Sequence, residues 1–169
     1  MSGKEILRTA TELAGKYLTF ILGKEEYGVE ILKVQEIIGM MSVTHVPRSP
    51  SFLRGIINLR GSVIPVVELR LKFGMEGVKD TEKTCIIVVN VTTENEAKKV
   101  VMGIIVDEVS EVVDVRSEQI DPPPKMGSAV DTTFILGVGK LGKKVAILLD
   151  IDKVLTRNEV VELGGVAGA

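Results

Sequence analysis

What most constrains this chain is its texture. Short runs of Val, Ile and Leu are cut every few residues by glycine, proline or a charged turn, and no long amphipathic helix can be drawn through them. From Tyr17 the runs read YLTFIL, YGVEI and KVQEIIG. A loop with Pro47 and Pro50 follows, then GIINLRG and SVIPVVE. Further runs are TCIIVVNV, KKVVMGIIV, VSEVVDV, TFILGVG and KVAILLD. Each has the length and β-branched content of a strand. LRLKF and IDKVL suit short helices, and KEILRTATELA near the start places Ile6, Leu7, Ala10, Leu13 and Ala14 at helical spacing. The expected fold class is mainly β with short helices.

The runs repeat. GVEILKVQEII from Gly28 lies over GIIVDEVSEVV from Gly103, which sets Val34 on Val109 and Glu36 on Glu111. GIINLRGSVIPVVELRLKF from Gly55 lies without a gap over GVGKLGKKVAILLDIDKVL from Gly137, which sets Leu59 on Leu141, Val63 on Val145 and Glu68 on Asp150. The two offsets differ by no more than a loop length, so the simplest account is one small unit duplicated in tandem. Residues 17–80 form the first unit and 81–157 the second, with 1–16 and 158–169 as terminal extensions. A unit of about five short strands has the size of a curled SH3-like or OB-like barrel. Neither unit buries much alone, so the two are expected to pack side by side.

Composition narrows the function. With 21 Lys and Arg against 23 Asp and Glu, no broad positive field would attract nucleic acid or an anionic membrane. One histidine and no tryptophan supply neither a histidine metal cage nor a stacking platform for bases. Cys85 is the only cysteine and lies in an apolar run, which suggests a small buried hydrophobe in a reducing compartment. MSGKEILRTATELAG lacks the apolar core of a signal peptide, and a cytoplasmic protein is the expectation.

Three motifs invite a chemical reading. GVGKLGKK, Gly137 to Lys144, fits GxGxxG and nearly fits a P-loop, so nucleotide binding is the alternative function. Yet Lys144 stands where Mg²⁺ needs a hydroxyl, and a strand follows where a helix should open; a glycine-rich turn is the better account. Asp107, Glu108, Glu111, Asp150 and Asp152 could be imagined as one carboxylate site, but Asp150, where a strand meets a helix, suits an N-cap. His45 reads as a surface residue. No catalytic residue, metal or cofactor is assigned.

The stretch GIINLRGSVIPVVELR carries its signal in geometry instead. Gly55 and Gly61 permit positive φ or close approach, and Pro65 argues for an edge strand or a bulge. Arg60, just before the turn, belongs at a rim, either recognising a partner or holding an internal ion pair with Glu36 or Glu68.

Together YLTFILGKEEYGVEILKVQEIIG, VTHVPRSPSFLRGIINLRGSVIPVVELRLKF and VMGIIVDEVSEVV closely resemble the CheW family of bacterial chemotaxis coupling proteins, over about residues 17 to 157. The resemblance implies two SH3-like five-stranded barrels side by side. It also implies a non-enzymatic adaptor that couples methyl-accepting chemoreceptors to the histidine kinase CheA in membrane-associated signalling arrays. By that resemblance the regulatory domain of CheA docks on Leu18, Ile31, Val34 and Pro47. The receptor's cytoplasmic tip is expected between the barrels, at Glu36, Ile37, Asn58, Arg60, Thr84, Ile86 and Val112.

Overall fold

A computed structural model describes residues 9–92, 99–123 and 133–154. Its strands fall where the β-branched runs lie: β1 Gly15–Leu22, β2 Glu25–Glu30, β3 Val34–Gly39, β4 Leu53–Leu59 and β5 Ser62–Glu68. The second half continues with β6 Cys85–Thr92, β7 Lys99–Val106, β8 Glu108–Val115, β9 Ile120–Asp121, β10 Ile135–Leu141 and β11 Lys144–Leu149. The helices are short. The expected amphipathic segment at the start is one turn, α1 Ala10–Leu13, capped by Thr9 and Glu12 in a reciprocal capping box; its earlier part lies outside the described residues, as does 158–169. LRLKF gives α2 Leu69–Lys72, and IDKVL a 3-10 turn, Ile151–Lys153, with Asp150 as its N-cap.

The strands form two sheets in the orders β8-β1-β2-β11-β10-β9 and β3-β6-β7-β5-β4. The fold is therefore mainly β with two SH3-like subdomains, but the strands are not shared out at residue 80. One sheet combines β1 and β2 with β8 to β11, and the other combines β3 to β5 with β6 and β7, so each expected unit lends its first hairpin to the other. The cause is local. β2 runs into β3 through a three-residue 3-10 turn, Ile31–Lys33, and β7 runs into β8 through Asp107 alone. Each is nearly one long strand, bent at a corner where it leaves one sheet for the other.

The duplication survives this exchange in its register. Gly103 of β7 lies beside Val66 of β5 in a parallel ladder, and Gly28 of β2 lies beside Leu148 of β11 in the matching one. Register shifts occur at Gly55 in β4 and at Gly137 in β10, again at matched positions. Neither sheet is closed by a ladder between its outer strands. The chain after β3 instead bridges back to β4 at Thr44 and Ile56, and β9 bridges to β10 at Val138, which curls each sheet on itself. Of the two expectations for Pro65 the edge fails, since β5 lies between β7 and β4, whereas a register shift of β4 between Leu53 and Gly55 falls opposite its neighbour Val66, where the ladder with β7 also starts.

Three apolar clusters result. The largest lies between the sheets, with Phe20, Leu22 and Val29 from one and Val67, Ile87 and Ile104 from the other, all fully buried. A chain of ring contacts crosses it from Phe20 to Tyr27, Phe73 and Phe134, with centroids 5.3–5.9 Å apart. Smaller clusters fill the two curls, one around Tyr17, Val115 and Leu148, the other around Ile64, Val66 and Ile86.

Interleaving has a direct consequence. A protease site placed in the exposed segment 77–79 and then cut leaves two fragments that each hold strands of both sheets. They are expected to co-elute as one species under native conditions and to separate only in denaturant; two independently folded fragments in the native eluate would contradict the strand order.

Candidate interaction site

The most constructed feature of the surface is the rim of the five-stranded sheet. β4 and β5 are joined by the two-residue turn Arg60 and Gly61, closed by Leu59 opposite Ser62. Both turn residues have positive φ, 52° and 91°, as hairpins with two-residue loops require. Glycine is at home there; arginine is not. The Asn58 side-chain oxygen accepts the Gly61 N–H at 2.8 Å and holds the turn. The left-handed step aims Arg60 across the open end of the curl at Glu36 on β3, with which it pairs. Its guanidinium pKa is raised, first by the hydrogen bond from Arg60 to Glu36 and then by that carboxylate's charge.

Of the two readings of Arg60, the ion pair exists and its partner is Glu36. Glu68 is taken by Arg54, which also binds Asp80. Recognition is not thereby removed, because the Arg60 side chain stays 66% exposed while paired. Glu36, Asn58 and Arg60 thus form one rim. Ile37, next to Glu36 but on the other face of β3, is 45% exposed.

The other expected receptor residues are not gathered there. Val112 is 51% exposed on β8, the outer strand of the other sheet, at the position that the repeat matches with Ile37. Thr84 precedes β6 and lines a shallow pocket with Arg54, Asp80 and Asp107. Ile86 is corrected: it is fully buried within the curl, packed among Ile57, Ile64 and Val66, and cannot meet a partner.

Leu18 is the second correction. It is 2% exposed in the central core, because both faces of β1 are covered. Ile31 and Val34 are half-buried against that same core, flanking the bend between β2 and β3, and Pro47 is exposed. Between them stands Leu32, 92% exposed, which the sequence reading passed over. A signal was present: the repeat sets Leu32 on Asp107, and a position that accepts a carboxylate in one copy is a surface position.

The chemical motifs resolve as turns and caps. Gly137 to Lys144 spans β10, the two-residue turn Gly142–Lys143 and the start of β11, so no helix N-terminus faces a phosphate and the nucleotide reading loses its structural basis. Among the described residues no cluster of His, Cys, Asp or Glu could hold a metal ion. His45 is exposed; Cys85 is half-buried, with burial pushing its thiol pKa up.

Fold and surface thus define a duplicated, mainly β protein whose built features are rims and bends. Residues 16–159 match the CheW-like domain model, and the chain belongs to that family. It is 42% identical to the chemotaxis protein CheW of Klebsiella aerogenes, over 95% of this chain and 96% of that one. With the chemotaxis protein CheW of Helicobacter pylori it shares 31% identity over 85% and 82%. The solved structure of the scaffolding protein TtCheW from Thermoanaerobacter tengcongensis superposes with a TM-score of 0.75 at 34% identity, covering 86% of this chain and 95% of that one. This is a family of scaffolding proteins, not of enzymes.

The ion pairs beside this surface set its response to acid. Arg54 holds the Asp80 carboxyl below its ordinary pKa, and Arg70 does the same for Asp107. A depressed folded pKa gives stability that is present above the unfolded value and lost as pH falls through the folded one. Asp150 has the opposite sign: burial, then the nearby Asp152, raise its pKa, so its ionisation costs stability as pH rises. Thermal melts should therefore fall off below about pH 4, and less steeply in Asp107→Asn. Asp150→Asn, which keeps an N-capping side chain, should raise the melting temperature at pH 7 and lose that gain in acid; a gain unchanged in acid would contradict the assignment.

Proposed function

We infer that this protein couples chemoreceptors to the histidine kinase CheA, as a non-catalytic adaptor with one face for each. The observation that carries the reading is the Arg60 turn. A non-glycine residue kept in the left-handed region, pinned by Asn58 and Glu36 and still two-thirds exposed, is a costly way to make a surface ion pair of little stabilising value. It is a reasonable way to present a fixed guanidinium to a partner. Glu36, Ile37, Asn58 and Arg60 then form the receptor face, with Val112 as its counterpart on the other sheet. Thr84, in the pocket beside Arg54, belongs to this face only through its sheet.

The kinase face is the bend between β2 and β3. Ile31 and Val34 are anchored in the core and partly open to solvent, and Pro47 and Leu32 extend the apolar surface around them. Each face needs only modest affinity, since holding one partner raises the effective concentration of the other. A receptor that grips the rim differently in two signalling states would transmit the difference as a coupling free energy. Recruitment to membrane-associated arrays then follows from the receptors themselves; no helix among the described residues is long and apolar enough to cross a membrane.

Two substitutions separate the faces. Val34→Glu should weaken CheA binding by about tenfold or more, since an unpaired carboxylate at a dry contact costs at least about 1.4 kcal/mol, with receptor-fragment binding retained and the melting temperature lowered, because Val34 also packs on the central core. Arg60→Ala should reduce receptor binding and leave CheA binding and the melting temperature near their original values. Calorimetric titration against each partner measures both. Full CheA affinity in Val34→Glu removes the bend from the kinase face, and a large fall in melting temperature for Arg60→Ala makes that residue structural.

A further inference from the structure

Two polar groupings sit at the two places where the chain changes sheets; of their charged side chains the repeat matches only Arg70 with Asp152, while Lys33 lies on Glu108 and Asp107 on Leu32. At the β7 to β8 crossover, Asp107 receives Arg70 of α2 through Nε at 2.8 Å and Nη2 at 2.5 Å. The same carboxylate accepts the Gly23 N–H of the β1–β2 turn at 2.8 Å. At the β2 to β3 crossover, Lys33 reaches Asp152 of the 3-10 turn after β11 at 2.7 Å. Asp152 in turn accepts the Thr92 N–H, at the end of β6 in the other exchanged hairpin, at 2.8 Å.

Each grouping has the same parts. One charged residue stands on the crossover and its opposite stands on the helical turn that follows a sheet's last hairpin strand; a backbone N–H comes from the hairpin lent by the other unit. The signs are reversed, however. The acid is on the crossover in one copy, as Asp107, and on the helical turn in the other, as Asp152, which the repeat matches with Arg70. What stays constant is that the carboxylate, wherever it sits, takes the hairpin's N–H, for which a lysine or arginine has no acceptor. All four charged side chains are between 17% and 27% exposed, so solvent screens them less than it does the rim pair.

We propose that Asp107 and Asp152 are positioning residues that clamp the two exchanged hairpins and thereby fix the orientation of one sheet relative to the other. On the adaptor reading above, on which this functional part rests, that orientation is what relates the kinase face on the bend to the receptor rim. The clamps are charge-assisted three-party contacts, not simple ion pairs, and this makes them separable by experiment.

In the full chain, Asp107→Ala, which removes the acceptor, should speed hydrogen exchange at the Gly23 amide, and Asp152→Ala at the Thr92 amide, each by about tenfold or more. Residual dipolar couplings should show the sheets reoriented in both variants. The charge exchange Lys33→Asp with Asp152→Lys should restore neither, because it removes the acceptor for Thr92. Lys33→Met, which removes the ion pair and the 3.5 Å bond from Nζ to Thr92 Oγ1 but leaves the Asp152 acceptor, should leave the Thr92 amide protected and serves if the exchanged variant does not fold. Restoration by the charge exchange, loss of Thr92 protection in Lys33→Met, or unchanged sheet orientation in both alanine variants would each overturn the proposal. With CheA and a receptor fragment present, the alanine variants should bind each partner as before but lose receptor control of kinase activity. If the unaltered chain binds neither partner, the adaptor reading fails while the orientation data still decide the clamp.

Discussion

The packing of each first hairpin onto the other half of the chain is the contact on which the remaining structure rests. Without β1 and β2, the sheet around β11 would lose its parallel partner and β8 would have nothing to pair with; without β6 and β7, β3 and β5 would be separated. The central core exists only because of this exchange, since Phe20, Tyr27 and Val29 arrive on one lent hairpin and Ile87, Val89, Met102 and Ile104 on the other. A fully buried aliphatic or aromatic side chain contributes about 2 kcal/mol by area, so this shared layer outweighs any polar contact on the surface. The rim at Arg60 and the bend at Ile31 are both positioned by it.

Several features were legible before any coordinates because they are local. Strand positions follow β-branched runs, the turn at Arg60 follows from Gly61, and the Asp150 cap follows from a strand running into a helical turn. The duplication was legible too, down to Gly28 on Gly103 and Gly55 on Gly137, because those glycines stand where a Cβ would strike a neighbour: at Gly55 it would lie 2.1 Å from the Thr44 carbonyl oxygen, and at Gly103 2.6 Å from Ile86. Which sheet each hairpin joins was not legible. A hairpin's own sequence specifies its turn and its buried faces, but the partner strand lies far along the chain.

The same limit explains Leu18 and Ile86. Picking an exposed apolar residue from a strand relies on alternation between a wet face and a dry one. In β1 and β6 that alternation fails, because the central core covers one face and a curl's own core covers the other, giving runs such as Tyr17 to Phe20 and Ile86 to Val89 with every residue buried. The outer strands β3 and β4 keep it, and on β3 Ile37 is exposed. Errors thus fall on strands buried on both sides.

Duplication alone would produce a molecule with two like surfaces, able to hold the same partner twice. The rims show how this chain departs from that. In the first unit the two-residue turn is Arg60–Gly61 and its guanidinium lies against Glu36; in the second the matching turn is Gly142–Lys143, and glycine stands where the arginine would be. Glu111, the match of Glu36, is exposed on β8, and no arginine among the described residues pairs with it. The bends diverge as well: one carries Leu32 in open solvent, and the other, at the matching place, carries Asp107 tied to Arg70. A shared backbone plan has therefore been given one charged rim and one apolar bend. On the adaptor reading two different partners require that asymmetry, and substitutions at turns and bends supply it without disturbing the buried hairpin exchange.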